Sequence, residues 1–198
     1  ENNKISIVTR ISKTASNKGT YFAPSTDFIL CYAKNINYLK PFKGKVDESL
    51  YKKIEPDGDR EGEQYRDDIA LFQSSLDPMR GCTNQRYFIE CPDGSLCIPP
   101  GNIFPELKKD SENIPPKTKD DKVWRWSYST YKENKHLLTF KETKTSPLLD
   151  EFGNQSKYNV YTKSYLKDRQ ETGTLPRNIF TDFINRKGAD LIKKYGIS

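Results

Sequence analysis

Short apolar runs alternate with polar stretches broken by proline and glycine along the whole chain, so its elements are predicted to be short. Ile5-Ser6-Ile7-Val8 reads as a strand and Phe28-Ile29-Leu30-Cys31-Tyr32-Ala33 as a second, joined by a loop of small, polar and basic residues over 9–20. Residues 47–54 carry acids first and lysines later, the order that suits a helix dipole, and predict a short helix stopped by Pro56-Asp57-Gly58. Residues 62–69 predict a strand behind a turn. Residues 86–91 and 96–98 predict a β-hairpin around Pro92-Asp93-Gly94-Ser95, where proline presets φ and glycine accepts a positive one. Residues 103–122 mix proline with both charges and read as a loop.

Val123-Trp124-Arg125-Trp126 predicts a short extended entry, with both indoles on one face in the core and Arg125 exposed on the other. Ser127 is the expected N-cap of a helix over 128–137. Strands follow at 138–141 and 158–166. A polar linker then runs through Gly173. The last segment, 180–195, reads as partly helical, interrupted at Gly188 and stronger from Ala189. No internal repeat is present. The sum is an α+β fold: a mixed or antiparallel sheet with β-hairpins and a few short helices, rich in loops.

Aromatic residues make up 12% of the chain, too many for a disordered segment. The net charge of +6 is unevenly placed. Residues 1–46 hold 8 Lys+Arg against 2 Asp+Glu, leaving 25 against 25 in the remainder. That basic opening is the electrostatic footprint expected for a phosphate backbone. No apolar run reaches the length of a membrane span, and no signal peptide is legible, so the expected location is cytoplasmic. The chain opens on Glu1 rather than Met, which suggests an excised piece or a processed product.

Cys31, Cys82, Cys91 and Cys97 show no C-x-x-C spacing, and the single histidine, His136, lies far from them, which argues against a structural zinc site. All four are expected as reduced thiols, with Cys31 buried inside its strand. His136 lacks an evident nucleophile partner and reads as a surface or cap residue. Asp121 with Glu142-Thr143-Lys144 offers the outline of a metal-dependent nuclease motif, an Asp followed by Glu-x-Lys. What remains is binding chemistry. The hydroxyl, amide and cationic groups over 9–20, with Arg10, Lys13 and Lys18, suit DNA phosphates. Arg66, Arg80, Arg86 and Arg125 suit guanine edges, which a guanidinium reads bidentately. Lys141 and Lys144 complete the set of candidate DNA-binding residues.

Several pieces, in order, resemble one enzyme family. Tyr21-Phe22 followed by Asp27-Phe28-Ile29-Leu30-Cys31-Tyr32-Ala33-Lys34-Asn35 is similar to the last two sheet strands of the catalytic domain in bacterial adenine-specific (N6) DNA methyltransferases, above all the methylation (Mod) subunits of type III restriction-modification systems. Gln64-Tyr65-Arg66-Asp67-Asp68, then Asn84-Gln85-Arg86-Tyr87-Phe88-Ile89 with Pro92-Asp93-Gly94 and Ile98-Pro99-Pro100, resemble blocks of the same family. So do Trp124-Arg125-Trp126-Ser127, Val160-Tyr161-Thr162-Lys163-Ser164-Tyr165-Leu166 and Leu175-Pro176-Arg177-Asn178-Ile179-Phe180.

The departures are as informative. The family's Asp/Asn-Pro-Pro-Tyr motif is absent, since Pro99-Pro100 and Pro115-Pro116 precede no aromatic, and no glycine-containing cofactor loop is present. Thr26-Asp27 stands where the family has His-Glu or a similar pair. The resemblance therefore implies a piece lying between the catalytic and cofactor blocks. Residues 1–40 would be the terminal hairpin of the catalytic sheet and 41–198 a target recognition domain. It implies double-stranded DNA as partner, with a restriction subunit and a second methylation subunit as further partners. It places S-adenosylmethionine in the parent enzyme and none in this chain, which by itself would be inactive. Two other readings stand beside it: a small metal-dependent restriction nuclease, and a non-catalytic protein-interaction module.

Overall fold

The computed structural model describes every residue except 1–2, 14–18, 183 and 196–198. Among the described residues the strands are β1 (Lys4–Ile11), β2 (Thr26–Tyr32), β3 (Lys53–Ile54), β4 (Gln64–Ala70), β5 (Ile89–Glu90), β6 (Leu96–Ile98), β7 (Leu138–Glu142), β8 (Leu149–Asp150), β9 (Tyr158–Tyr165) and β10 (Ile179–Phe180). The α-helices are α1 (Tyr128–Asn134), α2 (Leu166–Thr172) and α3 (Asn185–Tyr195). The fold is α+β, as the patterning implies. The strands form three sheets ordered β10-β1-β2, β3-β4-β9-β7 and β5-β6-β8.

The chain divides into two compact units, residues 1–46 with 172–198, and residues 47–171. The unit boundary differs from the expected division at residue 40. The reason is strand pairing: β10, from the far end of the sequence, lies parallel to β1 with Thr9 opposite Ile179 and Arg10 opposite Phe180. The second unit is thus an insertion within the first. In the first unit β2 pairs antiparallel with β1 and is an outer strand of its sheet. Its alternate residues Phe28, Leu30 and Tyr32 are 69%, 59% and 57% exposed, and Ile29 on the opposite side is exposed too. Cys31, expected to be buried, is half-buried for the same reason.

The second unit holds the core. Tyr87, Ile89, Cys91, Cys97, Trp124, Tyr131, Leu148, Tyr158 and Val160 pack together with Leu71. The hairpin β5–β6 supplies much of it. Its turn is closed by Gly94 N–H donating to the Cys91 carbonyl at 3.0 Å, and the Gly94 φ of +81° is one that glycine adopts without strain. Trp124 is fully buried, and its indole N–H donates to the Tyr87 carbonyl at 2.8 Å. Trp126 packs half-buried at the edge of this cluster, while Arg125 between them is exposed, as the alternation implies. Ser127 caps α1 by accepting from the Thr130 N–H at 3.2 Å.

Three local expectations are corrected. Residues 47–54 form a single 3₁₀ turn, Glu48–Leu50, capped by Asp47, and then β3, because Lys53 and Ile54 pair with Tyr65 and Gln64. Sheet pairing outweighs the weak helical preference of so short a segment. The linker before Gly173 contains α2, whose Asp168 is gripped by Arg60 at 2.6 and 2.9 Å, a contact distant in sequence. α3 runs through Gly188 without a break; glycine costs about 1 kcal/mol there but does not stop a helix.

A buried charge organises the loops beside the hairpin. Arg86 is 0% exposed, and its guanidinium donates to the carbonyls of Ile103 (2.7 and 3.0 Å), Pro99 (2.7 Å), Pro100 (3.1 Å) and Lys122 (2.7 Å). Asp121, also fully buried, accepts from the backbone N–H groups of Asn102, Ile103, Lys117 and Thr118 and from the Thr118 hydroxyl. Burial alone would raise the Asp121 pKa. The N–H groups of Asn102, Thr118 and Lys117 outweigh it and hold the carboxyl at about 2. Burial pulls Arg86 down to about 10, so it remains charged at neutral pH. A Cβ on Gly101 would sit 2.8 Å from Arg86 Nη2 and 2.8 Å from Asp121 Cα, which reserves that position for glycine.

Because the folded pKa of Asp121 lies below its unfolded value, the stability it contributes is present above about pH 4 and is lost as pH falls through 2. Asp121→Asn is expected to cost about 2–3 kcal/mol at neutral pH and to flatten the acid limb of a urea-denaturation pH profile. Arg86→Ala, which leaves five carbonyl contacts without their donor and removes the positive charge near Asp121, is expected to cost about 3–5 kcal/mol in the same assay.

Candidate nucleic-acid interface

In the second unit, β4 and β9 place Arg66 opposite Ser164 and Ile69 opposite Thr162, with an irregularity between the two pairs. These residues line one side of a cleft of about 320 Å³. Arg125 enters from the segment after Trp124, Arg169 from α2, and Tyr51 and Trp126 contribute rings. Three arginines therefore line a concavity whose lining, among the described residues, includes no acidic residue.

Each arginine is positioned differently. Arg66 forms a bidentate pair with Asp68, Nε to Oδ1 at 2.6 Å and Nη2 to Oδ2 at 2.8 Å. That hydrogen bond raises the Arg66 pKa and holds the Asp68 carboxyl below its usual range. Arg125 is tethered by Nη1 to the Ala70 carbonyl at 3.1 Å, and its backbone N–H donates to the Leu71 carbonyl at 3.0 Å. Arg169 is exposed on α2. The Thr162 hydroxyl donates to the Ile69 carbonyl at 3.3 Å. The arrangement can bind an anion: planar donors in fixed directions, on a rigid sheet, suit phosphate oxygens or an acceptor edge of a base.

The opposite face of the same sheet is charge-paired. The Tyr165 hydroxyl donates to Glu55, and Lys163 reaches both Glu55 oxygens at 2.7 Å; Lys163 first, then Tyr165, hold the Glu55 carboxyl below its ordinary range. Burial and that carboxylate push Tyr165 up to about 12. The Arg60 guanidinium lies 3.6 Å from the centre of the Tyr165 ring and pairs with Asp168 and Glu63.

The sequence-predicted residues fare unequally. Arg66 and Arg125 meet at the cleft. Arg86 does not: it is fully buried and engaged by carbonyls, so the expectation that it reads a base is corrected. Lys141 lies on the charge-paired face, 4.3 Å from the Tyr161 ring centre and 3.6 Å from Asp67. Arg80 and Lys144 are exposed on loops and do not line the cleft. Arg10 and Lys13 belong to the other unit, where Arg10 pairs with Asp27 at 2.8 Å and with Asn185. Lys18 and the middle of the 9–20 loop lie outside the described residues. His136 is exposed in the 3₁₀ turn Lys135–Leu137 that follows α1, a surface residue as expected. The nuclease outline fails at Asp121, whose two oxygens are filled by N–H and hydroxyl donors.

Arg169 was hidden in the segment read as a linker. Its signal was the spacing from Leu166, a buried apolar anchor, to exposed Lys167, Asp168 and Arg169. Tyr51 falls in the segment whose pattern predicts a helix, and Trp126 at a position whose alternation predicts the core. No family model, curated protein or solved structure matches this chain. Among the described residues, no helix is long and apolar enough to cross a membrane.

The Arg66–Asp68 pair leaves a carboxylate beside the cleft, and that carboxylate opposes an incoming phosphate. Asp68→Asn is expected to tighten binding of a short DNA duplex at low salt by about threefold, measured by fluorescence anisotropy, with the gain vanishing as salt is raised.

Proposed function

We propose that this chain is the DNA-recognition segment of a site-specific adenine-N6 DNA methyltransferase of a restriction-modification system. The observation that carries the reading is the convergence of Arg66, Arg125 and Arg169 on one cleft of the inserted unit. Cations held on a rigid sheet contact phosphates and base edges, and such contacts fix a protein on a duplex. The division of the chain supports the same reading. A recognition unit inserted between strands of a sheet is what a catalytic domain interrupted by a target recognition domain would give. The exposed apolar residues of β2 fit a sheet that takes a further layer in a larger protein, since a sheet buries its apolar face against another element.

On this reading the labour is divided. The parent enzyme extrudes an adenine from the duplex, at a cost of a few kcal/mol for unstacking, and S-adenosylmethionine supplies the methyl group there. This chain holds the flanking DNA and reads sequence. A restriction subunit and a second methylation subunit are the protein partners the reading implies, and the cytoplasm is its compartment.

The test is equilibrium binding of a DNA duplex across a salt series. Affinity is expected to fall steeply with salt, and Arg125→Ala and Arg169→Ala are each expected to lower the slope of log K against log salt by about 1. Binding indifferent to salt would overturn the reading. Methyl transfer from labelled S-adenosylmethionine by this chain alone would overturn the division of labour.

A further inference from the structure

The cleft offers more than a row of phosphate contacts. A duplex backbone is satisfied by exposed cations on an open surface. Here the three arginines surround a concavity of about 320 Å³, a volume at the lower end of the range for small-ligand pockets. Its walls are amphipathic. Trp126 packs against the core cluster and lines the cleft, and Tyr51, almost fully buried, lines it as well. The Ser164 and Thr162 side chains add hydroxyls. Aromatic surface beside cations in one concavity is the composition that receives an unstacked base with its phosphate.

We infer that the cleft takes one unstacked nucleotide of DNA, its base against Trp126 and its phosphate on Arg125 and Arg169. The inference rests on the DNA-recognition reading and deepens it. A nucleotide displaced from the stack would be held in the recognition unit, in addition to the adenine extruded for chemistry. The tether at Arg125 suits this role. The Ala70 carbonyl holds one of its guanidinium nitrogens before any ligand arrives, so less side-chain freedom is lost on binding. No chemical step is involved; the site binds.

The test compares the full chain on two short duplexes, one fully paired and one carrying a single unpaired nucleotide. The unpaired form is expected to bind about tenfold tighter, the effect of one base–aromatic stack, and to quench tryptophan fluorescence. Trp126→Leu is expected to remove most of the preference while leaving the paired duplex bound, and Arg169→Gln to weaken both forms and lower the preference. Equal affinity for the two duplexes would overturn the inference and leave the DNA-recognition reading standing. A preference unchanged in both variants would also overturn it, since the nucleotide would then sit elsewhere. Failure of either duplex to bind in a salt-dependent way would overturn the recognition reading itself.

Discussion

The second unit depends on an arginine that water never reaches. A buried guanidinium is costly unless every N–H finds an acceptor. Arg86 meets that demand by drawing the carbonyls of Pro99, Pro100, Ile103 and Lys122 around itself. Asp121 performs the complementary task for N–H groups of the same loops. Together they hold in place an irregular stretch with almost no regular secondary structure of its own. The consequence extends to the cleft. Lys122 is pinned by Arg86, Val123 and Trp124 are buried directly after it, and the Trp124 N–H donates to the Gln85 carbonyl at 2.7 Å. Arg125 is then the first residue free to face outward. The buried arginine sets where the exposed one emerges.

The four-stranded sheet divides two kinds of chemistry. Tyr65 and Tyr165 face each other across β4 and β9 on one side, and Arg66 and Ser164 on the other. The first side collects Glu55, Lys163, Lys53, Asp67 and Lys141 into neighbouring pairs. Their charges largely cancel at short range, so that side projects little field. The second side carries the cleft. The irregularity in β4 between Arg66 and Ile69 matters here. It lets Ile69 and Arg66, an odd number of residues apart, line one side of the sheet, which strict alternation would forbid.

Local signals in the sequence reached a good part of this. The hairpin was legible because Pro-Asp-Gly-Ser has turn chemistry that needs no tertiary help, and the Ser127 cap was legible for the same reason. The alternation Trp124, Arg125, Trp126 disclosed the outward arginine. What escaped was decided by distant partners. β3 exists because Lys53 and Ile54 meet Tyr65 and Gln64, and α2 is anchored by the Arg60–Asp168 pair. Arg86 looked like a base reader because an arginine beside a tyrosine in a β-rich run carries the same local signature whether it points to DNA or inward. Only the ring of carbonyls around it separates the two, and those come from residues 13 to 36 positions away.

Net charge is a poor guide to where this chain would meet an anion. The excess lies in residues 1–46, whereas the remaining residues balance at 25 cations and 25 anions. Yet the concave cationic site lies in the balanced part. The fold creates it by sorting: carboxylates such as Glu55 and Asp67 are paired with lysines on one side of a sheet, while Arg66, Arg125 and Arg169 come together on a cleft lined by none. Over distances beyond about 10 Å at moderate salt, exposed charges are screened, so a bound phosphate responds to its immediate neighbours. Three arginines lining one cleft, with Arg66 partly offset by Asp68, act on such a phosphate more directly than excess charges spread along another segment. A site for an anion is then a matter of arrangement, and the candidate cleft sits where the composition is neutral.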